Sequence, residues 1–340
     1  MKGRTTIIFA VAALALLGGT ASATPIKWIS VPLGTHRFGQ LQRPEAVVAR
    51  AGPTEVGFKK NGGCGCADGP AGPVLFDVSR GGSIWVFDVL NHRFLVWQRG
   101  RPAHPARTLA FPKLDIRDFV LGRNGTIYLS AVYAEPPAGD SGANLWALTP
   151  RGKVLWRAKA LTGSALRVGP SGAVYGLGVR SASSWTPLTT PGGRPLSLAQ
   201  QRRGTTSSQP LSGGLHVVST QIGPHEAHFA LVDKKATIVK AWKVTSRTQI
   251  LVSRDLTSAL VRGDLVAAVD VSRGARLQHV VLRLSPTGVR AQISLDAKAV
   301  WGAGGAETVT ALKVGSDGRL YQLRTSPKTG LAIASYSLGR

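Results

Sequence analysis

Six glycines recur along the chain at intervals of roughly 40–55 residues, each at a turn and each followed by a short apolar run. They are Gly82, Gly125, Gly172, Gly214, Gly263 and Gly318; the runs include residues 84–87, 127–129 and 320–323. A repeat of this period built from short strands cannot bury its apolar faces alone, but a ring of copies can. The pattern therefore predicts an all-β chain folded as a six-bladed β-propeller. Seven blades result if residues 27–60 form a degenerate blade of their own.

The end of the chain constrains closure. After Gly318 only two strand-like runs follow, residues 320–323 and 331–338, so the last blade lacks a fourth strand. Residues 46–49 and 55–58 are unassigned strand-like runs, and one of them is expected to complete that blade, removing an exposed edge.

The first residues read as an address. Lys2 and Arg4 precede an apolar stretch over residues 7–17, and Ala21-Ser22-Ala23 is a small-residue cleavage site. Residues 1–23 are thus expected to be a cleaved signal peptide and residues 24–340 a single domain. The implied location is secreted or in the cell envelope. The apolar stretch is too short to span a bilayer, and no second one follows.

The clearest repeat is residues 72–100, GPVLFDVSRGGSIWVFDVLNHRFLVWQRG. It reads as three strands joined by a glycine turn and a polar turn. Its pattern, with Asp88 followed by Asn91-His92-Arg93, resembles an NHL repeat. The other repeats keep the turn and strand but lose the Asn-His-Arg element. The resemblance implies a propeller; its members range from scaffolds to lyases, so it does not choose an activity.

Charge narrows the partners. Lys plus Arg number 42 against 17 Asp plus Glu, a formal charge of +25. Such a field favours an anionic polymer or an acidic protein partner. Export makes an envelope component a more natural partner than nucleic acid. From Ser141 to His225 there is no acid at all, which predicts a basic sector over blades two to four. Arg151, Lys153, Arg157, Arg194, Arg202 and Arg203 are its binding candidates, and Trp185 adds an aromatic surface for sugar stacking. Residues 181–211, rich in Ser, Thr, Pro, Gly and Gln, read as a loop insertion without strands.

Two other chemistries are weighed. Cys64-Gly65-Cys66 is the only cysteine pair. In an oxidising compartment it reads as a local disulfide, a redox-active pair or a two-thiolate metal site. A metal-assisted propeller hydrolase or lyase would need acids converging on the central channel to hold calcium. Asp77, Asp88, Asp115, Asp118, Asp264, Asp270 and Asp317 are the candidates, most of them placed where Asp caps its own turn. His225, Glu226 and His228 lack a metal-binding spacing. No catalytic residue is assigned, and the leading expectation is an exported binding or scaffold protein.

Overall fold

The computed structural model describes residues 26–34, 45–49, 56–58, 72–98, 104–110, 115–132, 144–161, 165–177, 184–253, 256–297 except 275, and 311–339. The leader and the Cys64/Cys66 loop lie outside the described residues.

Two N-terminal strands, β1 (Trp28–Pro32) and β2 (Glu45–Ala49), precede the repeats. Blade one is β3 (Leu75–Val78), β4 (Ile84–Asp88), β5 (Arg93–Trp97) and β6 (Arg107–Ala110). Blade two is β7 (Asp115–Leu121), β8 (Ile127–Val132), β9 (Leu145–Leu148) and β10 (Val154–Ala158). Blade three has β11 (Ala165–Val168), β12 (Val174–Leu177) and β13 (Trp185–Pro187), followed by a helix, α1 (Leu198–Arg203). Blade four is β14 (Gln209–Pro210), β15 (His216–Gly223), β16 (Glu226–Val232) and β17 (Ile238–Thr245). In blade five, β18 (Gln249–Val252) and β19 (Ala259–Val261) share the inner position, followed by β20 (Asp264–Arg273), β21 (Arg276–Ser285) and β22 (Gly288–Asp296). Blade six is β23 (Leu312–Val314), β24 (Arg319–Ser326) and β25 (Gly330–Ser337). Each blade is an antiparallel sheet in sequence order, and six such sheets form the ring of a six-bladed propeller.

The closure expected from the sequence is present. β2 pairs antiparallel with β25, from Glu45 opposite Ser335 to Ala49 opposite Leu331, and supplies the missing fourth strand. A second tie has no counterpart in the sequence reading: β1 pairs in parallel with β17 and makes blade four five-stranded. Trp28 rests on His228 of β16 with ring centroids 4.1 Å apart. The chain before the first repeat therefore joins blades four and six.

All six repeat glycines have positive φ, between 73° and 94°. At Gly172 the reason is visible: Gly169 N–H donates to Ala173 O and Gly172 N–H to Gly169 O, a tight hairpin whose fourth residue must be left-handed. Gly169 has a different role. A Cβ there would stand 2.6 Å from the Tyr175 ring, so the tyrosine six residues on packs over bare backbone. Blades two and six repeat the unit with Tyr128 and Tyr321.

Segment 181–211 departs from its expectation. It contains β13, the helix and β14, so it is not a strandless insertion. Ser197 caps α1 in a reciprocal capping box with Gln200, which explains why a Ser-rich stretch turns helical here. The buried Gln201 receives Leu161 N–H and donates to Leu196 O, fastening α1 to the end of blade two. Beyond the helix, Thr206 bridges to Trp185 at the outer edge of β13, Trp185 N–H donating to Thr206 O at 2.8 Å and Thr206 N–H to Trp185 O at 2.9 Å.

The apolar core lies between neighbouring blades. Trp97 and Trp242 are fully buried, and Trp242 Nε1–H donates to Ser285 O of the next blade at 2.8 Å. Removing such a side chain costs about 3–5 kcal/mol.

Candidate functional site

The innermost strands carry side chains that reach sideways rather than into the core. Asp77 on β3 accepts the N–H of Leu121 in blade two at 2.7 Å. Asp118 on β7 accepts the N–H of Leu166 in blade three at 2.6 Å. Gln209 on β14 accepts the N–H of Ser258 in blade five at 3.1 Å. Each clamp satisfies a backbone donor that faces the next blade instead of a ladder partner.

Two of these clamps are also ion pairs. Lys313 of β23 lies 3.0 Å from Asp77, closing the ring between blades six and one. The Arg167 guanidinium bonds to Asp118 at 3.2 Å and to Leu166 O at 2.6 Å, and its Nε–H donates to Thr257 of blade five. Arg167 and Asp118 are both buried. Burial pushes the Asp118 carboxyl above its ordinary value, while the Arg167 and Lys313 charges and two backbone donors pull it back. With its oxygens filled by these donors, Asp118 is a lock rather than an acid or base.

Arg167 also lines a cavity of about 840 Å³ formed mainly by the turns between the first and second strands of blades one, two, five and six. A second cavity of about 530 Å³ lies among blades three, four and five. Thr257 and Ser258 line both. The second cavity is bounded by the far ends of the strands, including Leu177, Trp185, Leu251 and Asp270.

The larger cavity is basic. Six of its lining residues are cationic, namely Arg80, Arg123, Arg167, Arg262, Lys313 and Arg319; Asp77 and Asp317 are the two acids. Arg167 and Lys313 are paired, and Arg319 bonds to Ser335 at 3.1 Å. Arg80, Arg123 and Arg262 are exposed at the rim, and no ion pair engages them among the described residues. The rim is fixed by contacts between turns: Ser316 donates to Arg80 O at 3.0 Å, and Gly318 packs against Val261. Arg262 has a φ of 53°, a conformation that costs a residue with a side chain about 1–2 kcal/mol.

The residues singled out from the sequence are dispersed. Arg151 and Lys153 stand exposed on the turn between β9 and β10, and Arg194 on the turn after β13. These turns open on the same face as the basic mouth, because Gly125 and Gly172 of the mouth abut Pro150 and Pro191. Arg157 lies on the outer strand with its guanidinium 4.1 Å from the Trp146 ring centroid. Arg202 and Arg203 are exposed in the last turn of α1. Trp185 is not on an exposed loop: it is buried at 7% exposure and packs edge-on against Tyr175. The acid-free stretch is thus no single surface, since Arg167 within it is buried.

The candidate acids are likewise engaged one by one. Asp88 accepts from Asn91 at 2.8 Å, Arg93 at 3.0 Å and Gly57 N–H at 3.2 Å, so the Asp-Asn-His-Arg element locks its own turn. Asp264 pairs with Arg283 at 2.9 Å, Asp270 with His279 at 2.7 Å, and Asp317 accepts the Tyr321 hydroxyl at 2.8 Å. Glu226 and His228, two apart on β16, meet at 2.7 Å, with Lys243 at 2.8 Å from the same carboxylate. No group of three His, Cys, Asp or Glu side chains able to hold a metal occurs among the described residues. No helix among them is long and apolar enough to cross a membrane.

Sequence reasoning missed the mouth itself. Its signal was available: Arg80 and Arg123 stand two residues before their repeat glycines, and Arg262 directly before its own. Lining up the turns brings all three to one mouth.

No known protein family matches the chain, and no curated protein matches it. Among solved structures, a streptogramin B lyase is 10% identical with a TM-score of 0.38, covering 77% of this chain and 92% of that one. A chain of the mitotic checkpoint complex is 10% identical, with a TM-score of 0.44 and coverages of 91% and 98%. The PQQ-bound aldose sugar dehydrogenase from Streptomyces coelicolor is 12% identical, with a TM-score of 0.40 and coverages of 86% and 99%. The chain is similar to these in outline only, and its architecture rests on its own strand pairing.

Proposed function

We propose that this chain is an exported, NHL-like propeller that acts as a binding protein for an anionic partner, such as an acidic envelope polymer. The observation that carries the reading is the uncompensated charge of one face. Arg80, Arg123 and Arg262 ring the channel mouth, and Arg151, Lys153 and Arg194 stand on the outer turns of the same face. Among its described lining residues the mouth holds six cations against two acids, Asp77, which is paired with Lys313, and Asp317. An NHL-like origin is supported by the Asp88 network of blade one, and export by the basic, apolar and small-residue order of residues 1–23.

The test is association with an acidic polysaccharide or a polyphosphate chain at rising salt. Affinity is expected to fall steeply between low and physiological ionic strength, because exposed charges are screened over about 8–10 Å. Replacing Arg151, Lys153 and Arg194 together with Ser is expected to weaken polymer binding severalfold without altering the fold. Binding indifferent to both salt and these substitutions would overturn the reading. Amino-terminal sequencing of protein from the producing cell tests export, with a start at Thr24 expected.

A further inference from the structure

We infer that the channel mouth is a discrete receptor for clustered phosphoryl groups, a compact site within the basic face rather than a share of its diffuse charge. The inference rests on the anion-binding reading above and specifies its centre.

Half of the cavity's cations are already engaged. Lys313 is matched by Asp77 and Arg167 by Asp118, and Arg319 is tied to Ser335. What remains is three guanidinium groups, those of Arg80, Arg123 and Arg262, each on a different blade. Guanidinium is planar and presents forked donors that match phosphoryl oxygens two at a time. A ligand that satisfies three such forks from three directions needs several tetrahedral anionic centres close together. A single carboxylate has too few oxygens, and a polycarboxylate offers one planar oxygen pair per group, whereas each phosphoryl centre of a phosphate chain presents oxygens in several directions and carries more charge.

The mouth is also built to stay open. Its turns brace one another through the Ser316 bond to Arg80 O and the contact of Gly318 with Val261. Arg167, bonded to Asp118 and Thr257, ties blades two, three and five together in the wall of the cavity. A cavity of about 840 Å³ holds a short phosphate chain but not a folded polymer. The position of Arg262 adds an independent mark. Its backbone sits at a φ of 53° in a turn where glycine or asparagine would be at ease, and such strain collects at functional sites.

The experiment is calorimetric titration of the whole chain with inorganic tripolyphosphate, orthophosphate and citrate at one ionic strength. One tripolyphosphate per chain is expected, bound at least tenfold more tightly than citrate and about a hundredfold more tightly than orthophosphate. The Arg80→Gln, Arg123→Gln and Arg262→Gln triple variant is expected to lose tripolyphosphate binding by 30-fold or more, and each single variant by about three- to tenfold. Because all three side chains are exposed, the melting transition serves as the control for folding, and the single variants serve if the triple one melts early. Citrate binding as tightly as tripolyphosphate overturns the phosphoryl assignment. Several weak equivalents per chain, or a triple variant that binds unchanged, overturn the site. Acidic polymer that still binds the chain when tripolyphosphate does not would leave the broader reading standing and remove this one.

Discussion

The two cavities share Thr257 and Ser258 and little else. One is ringed by hairpin turns, holds six cations against two acids among the described residues and opens on a face with further exposed arginine and lysine. The other, between blades three, four and five, is lined by strand residues with apolar, hydroxyl and amide side chains, and Asp270 is the one charged residue among its described lining. Both are made by the same repeat, so the difference cannot lie in the fold. It lies in which positions of the repeat are free to vary. Strand residues are packed against neighbouring blades, whereas the turn residues before the glycines stand exposed and are free to be arginine, at position 262 even against the strain of a positive φ. The turns are therefore where a propeller acquires a partner.

The largest expected effect follows from breaking the Arg167 crossing in the wall of the basic cavity. Arg167→Ala would remove its bond to blade five and leave the buried Asp118 carboxylate without its counter-ion. Removing one partner of a buried pair costs about 3–5 kcal/mol, read by urea unfolding at neutral pH. The sign of the pH dependence is specific. The folded pKa of Asp118 lies above its unfolded value, so the folded state holds the proton more tightly. Its contribution is most favourable below the unfolded pKa and is lost as pH rises towards the folded one. Losing Arg167 raises the folded pKa further, so the variant's deficit should shrink as the pH is lowered from about 7 to about 4. Asp118→Asn combined with Arg167→Met should recover much of the loss. A deficit that is small, or flat with pH, would mean that the crossing does not hold the wall.

Reversing the charge of the mouth comes next. Arg80→Glu, Arg123→Glu and Arg262→Glu together should lower affinity for acidic polymer by at least about a hundredfold, equivalent to about 2.7 kcal/mol. The corresponding change in the second cavity, Asp270→Asn, should leave polymer affinity within twofold of the parent. It should cost only about 1–2 kcal/mol of stability, because His279 loses a charged acceptor but keeps a polar one. If both cavities respond alike, the contrast between them has no functional meaning.

The architecture was legible because a ring of blades repeats its constraints. Each repeat glycine had to be left-handed, and each following run had to fill an interface, so six copies of one weak signal summed to a strong one. Closure by an N-terminal strand could be read from a deficit of one strand in the last blade; which of the runs 46–49 and 55–58 supplies it could not, and it is residues 45–49 that do. β1 could not be read that way, because nothing in the strand count of blade four asks for a fifth strand. The helix at residues 198–203 was hidden by its composition, since a capping box inside a Ser- and Pro-rich stretch is a local signal outweighed by its surroundings. The site failed for a different reason. Linear charge runs select residues that are neighbours in sequence, such as Arg202 and Arg203. A propeller gathers residues one repeat apart, and Arg80, Arg123 and Arg262 are isolated in sequence. Arg167, within the apparent basic sector, faces inward because its strand is the innermost of its blade.

The smallest effect is the most discriminating. Arg262 occupies a left-handed turn position next to Gly263, with φ of 53° and 83° for the pair. Glycine at 262 would adopt that conformation without the steric penalty of a Cβ, against a greater loss of chain entropy on folding. The balance favours the variant by about 0.5 kcal/mol, measurable as a higher urea midpoint with an unchanged slope. A turn kept only for structure gives no reason to hold arginine there, and its replacement would improve the protein without penalty. If the mouth is the binding centre, Arg262→Gly should gain stability and lose affinity for tripolyphosphate by about three- to tenfold in the same molecule. Ala236, another non-glycine at positive φ (61°), in the turn between β16 and β17, supplies the control: Ala236→Gly should gain stability by a similar margin with no change in binding. A gain at both positions with a loss of affinity at one would tie the strain at the mouth to what the mouth holds.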